Sequence, residues 1–185
     1  MRRVFLLSVI MGLLSISSYA QKISVSTNII DYLALGTMNA DVSYAFSQHW
    51  SMTAGVRYNP FTFRKGEPRR QFQCRQQSYS LGVRMWLWHT WSGWWFAAKL
   101  RYQEYNAGGI FSQETQEGDR IGAGLYSGYT YMISNHFNVE FGIGLWGGSD
   151  MYSRYDCPVC GVCTSSGRKG FLLPDDLMIA LVYVF

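Results

Sequence analysis

The chain has 185 residues, of which 48% are apolar, 17% aromatic and only 15% charged. That is one domain's worth of material, and its charged fraction lies well below the quarter or so that is usual for a soluble domain. Abundant Gly (19) and Tyr (13), few Pro (4) and a modest basic excess exclude a disordered tail, a coiled coil and a nucleic-acid-binding domain.

Arg2 and Arg3 precede an apolar stretch from Val4 to Leu14, and Ser18-Tyr19-Ala20 places small residues at the −3 and −1 positions of a cleavage site. This pattern predicts a signal peptide over residues 1–20. Its apolar part is shorter than the ~20 residues a bilayer helix needs. No Cys follows the cleavage site, so no lipid anchor is expected. Two of the 16 basic residues lie in the leader, which leaves 14 against 12 acidic ones. The longest uncharged stretch, Ile121 to Val139, is broken by Gly and Ser and alternates. It does not read as a transmembrane helix.

From residue 21 onward the period is two. Ile23, Val25, Thr27 and Ile29 alternate with Ser24, Ser26 and Asn28. Val42, Tyr44 and Phe46 alternate with Asp41, Ser43 and Ala45, and Trp50 to Tyr58 continues the pattern with Arg57 on the small set. Four more alternating runs begin at Tyr79, Trp94, Ile121 and Phe137, and a last one ends the chain from Leu177 to Phe185. Alternation is the strand signature, and runs of roughly 9–11 residues suit strands that cross a bilayer at a tilt. The sequence therefore predicts an all-β fold: an eight-stranded antiparallel up-and-down transmembrane β-barrel over residues 21–185. Brief connections fall near Gln48-His49, His89 to Gly93 and Ser134 to His136, and the first connection of the opposite rim, Leu35 to Thr37, is brief as well. Long loops, expected to be extracellular, fall near 60–77, 104–119 and 147–175. Short turns on one rim and long loops on the other are the outer-membrane arrangement.

Alternation alone cannot say which set faces in. A soluble barrel such as a lipocalin is the rival, and it would turn the bulky set inward. The second set here is Ser, Gly, Asn and Ala with few charges, a poor soluble exterior but a good filling for a narrow lumen. Asp41, Arg57, Arg84, Lys99, Arg101 and Glu140 fall on that set. They are expected to pair inside as an ion network, because eight strands leave no open channel. Trp86, Trp88 and Trp95 are expected to plug the turn end. Trp50, Trp91, Trp94, Phe137, Tyr183 and Phe185 would form one aromatic girdle, and Tyr58, Phe61, Tyr79 and Tyr102 the other.

The final strand, Leu177 to Phe185, ends in Phe185 with Tyr183 two before it and resembles the assembly signal of bacterial outer-membrane barrels. The architecture is similar to the small OmpA-transmembrane and OmpX class. More narrowly, the order of Tyr58-Asn59-Pro60-Phe61, Tyr105 to Gly109, the Gly-rich sixth run, Tyr155-Asp156-Cys157 with Cys160-Gly161, and Leu181 to Phe185 resembles a Bacteroidetes outer-membrane family of unknown function. Cys163 and Cys74 depart from that pattern. Some members are associated with surface fimbriae, so the resemblance implies an anchoring or assembly role and no catalytic residues.

Cys157, Cys160 and Cys163 form C-x-x-C-x-x-C, with Cys74 distant. In an exported protein the first expectation is two disulfides, with Cys74 tied to one of the cluster. A four-thiolate zinc site and a redox C-x-x-C are the alternatives. His49, His89 and His136 all fall in short turns, on the wrong rim for chemistry on lipid A. Arg64, Lys65, Arg69, Arg70 and Arg75 against Glu67 make one loop basic. It is either a solvated loop or a contact for lipopolysaccharide phosphates or an acidic partner. No cofactor is expected. The expected partners are outer-membrane lipid and lipopolysaccharide, the barrel assembly machinery and an envelope or fimbrial protein, with no nucleic acid. The functional expectation is a non-enzymatic structural, anchoring or surface-interaction protein. A lipid A-modifying enzyme and a soluble periplasmic ligand-binding barrel are the rival readings.

Overall fold

The computed structural model describes residues 21–33, 35–64, 71–109, 114–156 and 162–185. The predicted leader, 1–20, lies outside the described residues. The elements in chain order are β1 (Ile23–Asn28), α1 (Ile29–Leu33), β2 (Met38–Ala45), β3 (Trp50–Asn59), β4 (Thr62–Phe63), β5 (Phe72–Trp86), β6 (Gly93–Gly108), β7 (Thr115–Met132), β8 (Phe137–Tyr155) and β9 (Cys163–Val184).

Every pairing is antiparallel. The order is β3-β2-β1-β9-β8-β7-β6-β5-β4, and a further β3–β5 pairing closes the ring. Eight strands therefore form a barrel, and β4 is a two-residue appendage on β5. The ladder is staggered. Following partners from Ser24 through Ser43, Thr53, Gly82, Lys99, Gly124 and Trp146 arrives at Leu173. The β9 partner that Ser24 itself pairs with is Val184. Such an offset on closure requires strands tilted to the barrel axis.

The two faces of the ladder are chemically opposite. Leu81 is 54% exposed, Leu100 66% and Leu125 72%, whereas Ser51 is 0%, Thr53 4% and Asn59 1%. Large apolar side chains point out and small or ionised ones point in, the inverse of a soluble barrel. Exposed Trp50, Trp94, Phe137, Tyr183 and Phe185 ring the turn end, and Tyr58, Phe61 and Tyr79 stand toward the other, with Tyr102 half-buried.

Three features differ from the sequence expectation. First, the described parts of the segments near 60–77, 104–119 and 147–175 are largely strand: the ladder runs on to Gly108↔Thr115 and Tyr155↔Cys163. There both faces are polar, so the alternation fades while the backbone groups still need partners. Second, the first connection carries α1. Asn28 caps it, accepting from Ile30 N at 3.2 Å, as a good N-cap does. Gly36, at φ +76, supplies the left-handed residue that ends such a helix. Third, the plug at the turn end is Trp86 (1% exposed), Trp95 (1%) and Trp91 (5%), whereas Trp88 is 57% exposed and lies outside. The left-handed backbone at Trp91 (φ 71) interrupts strand parity within the turn, so the inward ring is not the one that counting selects.

The plug is packed without slack. Trp86 meets Trp91 edge-on with centroids 5.6 Å apart, and its Nε1 donates to Ser51 Oγ at 3.0 Å. Val182, Val184, Ala180 and Met178 of β9 complete it. A methyl added at Gly128 would meet the Phe141 carbonyl and the Trp95 ring. Gly128→Ala is therefore expected to cost about 1–3 kcal/mol by overpacking. An unfolding midpoint in urea equal to that of the unsubstituted protein would show that the plug is looser than this packing implies.

Candidate functional site

The polar interior is layered from the tryptophan plug towards the open end. Directly above the plug, Arg84 on β5 donates through Nη1 to both Glu140 oxygens at 2.9 Å. Thr130 Oγ1 donates to Glu140 Oε1 at 3.1 Å. The guanidinium lies 4.2 Å over the Trp95 ring. Arg84 and Glu140 are 4% and 1% exposed, so each charge depends on the other for its solvation.

In the next layer Lys99 Nζ stands 4.7 Å from the Tyr126 ring, with Asp41 as the anion acting on it. Above this, Arg57 Nε meets Asp31 Oδ2 at 3.0 Å and its Nη1 meets Asp175 Oδ1 at 3.7 Å. Arg101 Nη1 meets Asp175 Oδ2 at 2.5 Å, and Tyr126 Oη donates to the same oxygen at 2.8 Å. All six residues expected in the lumen (Asp41, Arg57, Arg84, Lys99, Arg101 and Glu140) face it, buried or half-buried.

Sequence reasoning missed two carboxylates of this layer. Asp31 comes from α1, which has no alternation to reveal it. Asp175 stands just before a register shift, between Gly142 and Gly144 on the β8–β9 ladder, where counting loses phase. A higher cluster was missed too. Asp150 is fully buried and takes Arg120 Nε at 3.3 Å, Lys169 Nζ at 3.6 Å and the Tyr105 hydroxyl at 2.8 Å. Extending the parity of the sixth and seventh runs past their apolar ends would have placed Arg120 and Asp150 inside.

Two cavities occupy the upper lumen. One of about 220 Å³ lies among Arg57, Gln76, Ser78, Arg101, Gln103, Arg120, Trp146 and Asp175. A wider cup of about 460 Å³ includes Cys74, Gln103, Tyr105, Thr115, Arg120 and Arg154. The guanidiniums of Arg57, Arg101 and Arg120 are matched by Asp31, Asp175 and Asp150, so the chemistry around the smaller cavity is that of a charge-compensated filling. Among the described residues, no three His, Cys, Asp or Glu side chains converge to hold a metal ion.

The remaining candidates are dispersed. Cys74 is half-buried on β5 and Cys163 is exposed at the start of β9, and both are free. The expected tie is thus not seen between Cys74 and Cys163, whose strands are not neighbours: β6, β7 and β8 lie between β5 and β9 along one wall. Cys157 and Cys160 lie outside the described residues, as do Lys65, Glu67, Arg69 and Arg70 of the basic loop. Arg75 lies on β5, opposite Asn106, and Arg64 follows β4. The histidines fasten the short turns. His49 Nδ1 contacts the Trp86 carbonyl at 3.2 Å and His136 Nδ1 the Val184 carbonyl at 2.9 Å, while His89 stacks on His49. Tyr183 and Phe185 are exposed and meet edge-on at 4.8 Å, on the strand that closes the barrel against β1.

Two expectations follow. Glu140→Ala should destabilise the barrel by about 3–5 kcal/mol by stranding Arg84. Arg84→Met combined with Glu140→Leu should recover much of that loss. A double variant as unstable as the single one in urea titration would refute the coupling. For the thiols, burial raises Cys74 above the ordinary thiol range, which lowers its thiolate fraction at neutral pH. Without reductant, Cys163 should be alkylated quickly and Cys74 slowly. A Cys74 that reacts only after reduction would contradict the free thiol.

No curated protein matches the chain. A family described as "Protein of unknown function (DUF3575)" matches residues 4–185. The match spans the barrel from its first strand to its last residue, and the chain belongs to that family.

Proposed function

We propose that this protein is a non-enzymatic outer-membrane barrel that anchors or presents a surface for an envelope partner. One observation carries the reading: the wall exposes a belt of large apolar side chains, among them Leu81, Leu100, Leu125, Phe141 and Leu181, around a lumen filled by ion pairs. Water would penalise that belt by about 25 cal/mol for each Å² left exposed, whereas hydrocarbon accepts it. The aromatic residues near both ends suit the two interfaces of a bilayer.

The anchoring role rests on the filled lumen and the tall upper wall. Among the described residues the plug and the ion-pair layers fill the lumen, so transport is not part of the reading. His49 and His136 hold turn carbonyls and His89 stacks on His49 at the end opposite the cup, which leaves the cup without an imidazole base for acyl transfer. The resemblance to Bacteroidetes outer-membrane barrels supplies the rest. Residues 1–20 act as a cleavable export signal, Tyr183 and Phe185 are read by the barrel assembly machinery, lipopolysaccharide surrounds the wall, and an envelope or fimbrial protein is the partner.

Expressed with its leader in a Gram-negative host, the protein should sediment with outer membranes and migrate faster on a denaturing gel unboiled than boiled. Recovery in the soluble periplasm would overturn the reading.

A further inference from the structure

The barrel wall is lopsided. β5 to β9 extend over long spans, whereas β1, β2 and β3 stop at Asn28, begin at Met38 and stop at Asn59. The tall part of the wall therefore has two free flanks, one along β5 and one along β9. The chain covers the β5 flank itself: Thr62 pairs with Gln73 and Phe63 with Phe72, and the two phenylalanine rings stack at 4.8 Å.

The β9 flank is treated differently. β1 pairs with β9 only from Ala180 to Val184. Asn28 continues the cover by accepting from Ile179 N at 3.1 Å and donating to the Leu177 carbonyl at 3.5 Å. From Cys163 to Leu173, β9 pairs with β8 on one side, and no described residue pairs with it on the other. Nearly all of these residues are exposed, with Lys169 and Phe171 half-buried. A long open edge is a template for another strand.

We infer that the β9 edge from Cys163 to Leu173 receives an extended, acidic strand of a partner protein by β-strand addition. The inference rests on the anchoring reading above and names where and how its partner binds. Main-chain hydrogen bonds would supply affinity, and alternate side chains would supply selectivity. The edge carries no acidic residue; its Lys169 turns inward to Asp150 at 3.6 Å, which leaves Arg168 as the cation it presents outward. Arg168 lies on the outer face, its Nε donating to Ser149 Oγ at 2.6 Å. A second copy of this chain pairing antiparallel about Arg168 would set the two Arg168 side chains opposite each other, which is unfavourable for directly opposed like charges. The charge thus favours an acidic partner and discourages self-pairing.

The test uses the full chain in phospholipid vesicles, with amide hydrogen exchange read along β9. A peptide of alternating valine and glutamate should protect amides between Cys163 and Leu173, and one of alternating valine and lysine should not. Arg168→Glu should weaken the acidic peptide roughly two- to fivefold. Ser166→Glu, which leaves the Arg168–Ser149 hydrogen bond in place, should shift the preference the same way. Three results would overturn the inference: no protection by either peptide, equal protection by both, or an edge already protected in peptide-free protein that becomes unprotected on dilution. Vesicle flotation of the same samples reads the membrane assignment separately. Protein that floats without edge protection refutes only the strand addition, and protein that fails to float refutes the anchoring reading.

Discussion

A ring of eight strands encloses a space only as wide as the side chains that fill it. Whatever the wall does not turn outward must fit there, and in this protein that includes Arg57, Arg84, Lys99, Arg101, Arg120 and the Lys169 ammonium together with Asp31, Asp41, Glu140, Asp150 and Asp175. Taking single charges out of water costs several kcal/mol each. Compensation inside the lumen is therefore the condition on which the inverted barrel exists. The aromatic rings extend it, with Trp95, Tyr126, Trp146 and Tyr105 each lying against a cation.

The layers are not equivalent. The Arg84–Glu140 pair sits over the tryptophan plug and is sealed on every side, with Thr130 completing the carboxylate's shell. The upper layers gather ligands from distant parts of the chain. Asp31 arrives on α1, Asp175 stands just before a bulge in β9, and Lys169 reaches Asp150 from the tall hairpin. The lower lumen thus belongs to the barrel proper, whereas the upper lumen ties α1 and the β8–β9 extension to it. A crown held by buried ion pairs is a stiff support, as the proposed strand addition at the β9 edge requires.

Asn28 shows how economically the transition between low and tall wall is made. Its side chain caps α1, joins Asp31 at 3.1 Å and meets the β9 backbone at Ile179. It thereby ends β1, starts the helix that brings in Asp31 and closes the edge of β9 up to Leu177. Above that point β4 covers one flank, and among the described residues nothing pairs with the other. The family match, which runs along the whole wall, treats the low and tall parts as one unit.

Strand number, facing and most of the lumen were legible in the chain because a strand's side chains alternate with period two. Once the bulky set is assigned to the exterior, Arg84, Lys99, Arg101 and Glu140 have nowhere to go but inward. Parity fails wherever the backbone leaves the ladder or skips a residue. That is why Asp31 on α1, Asp175 beyond the bulge and Trp91 in its left-handed turn escaped it, and why Trp88 was placed inside. It also fades where both faces are polar, so strands above the apolar belt read as loops. Which carboxylate meets which guanidinium, whether Cys74 finds another thiol and which flank of the wall stays open depend on stagger around the ring. Stagger is a property of closure, and no single strand carries it.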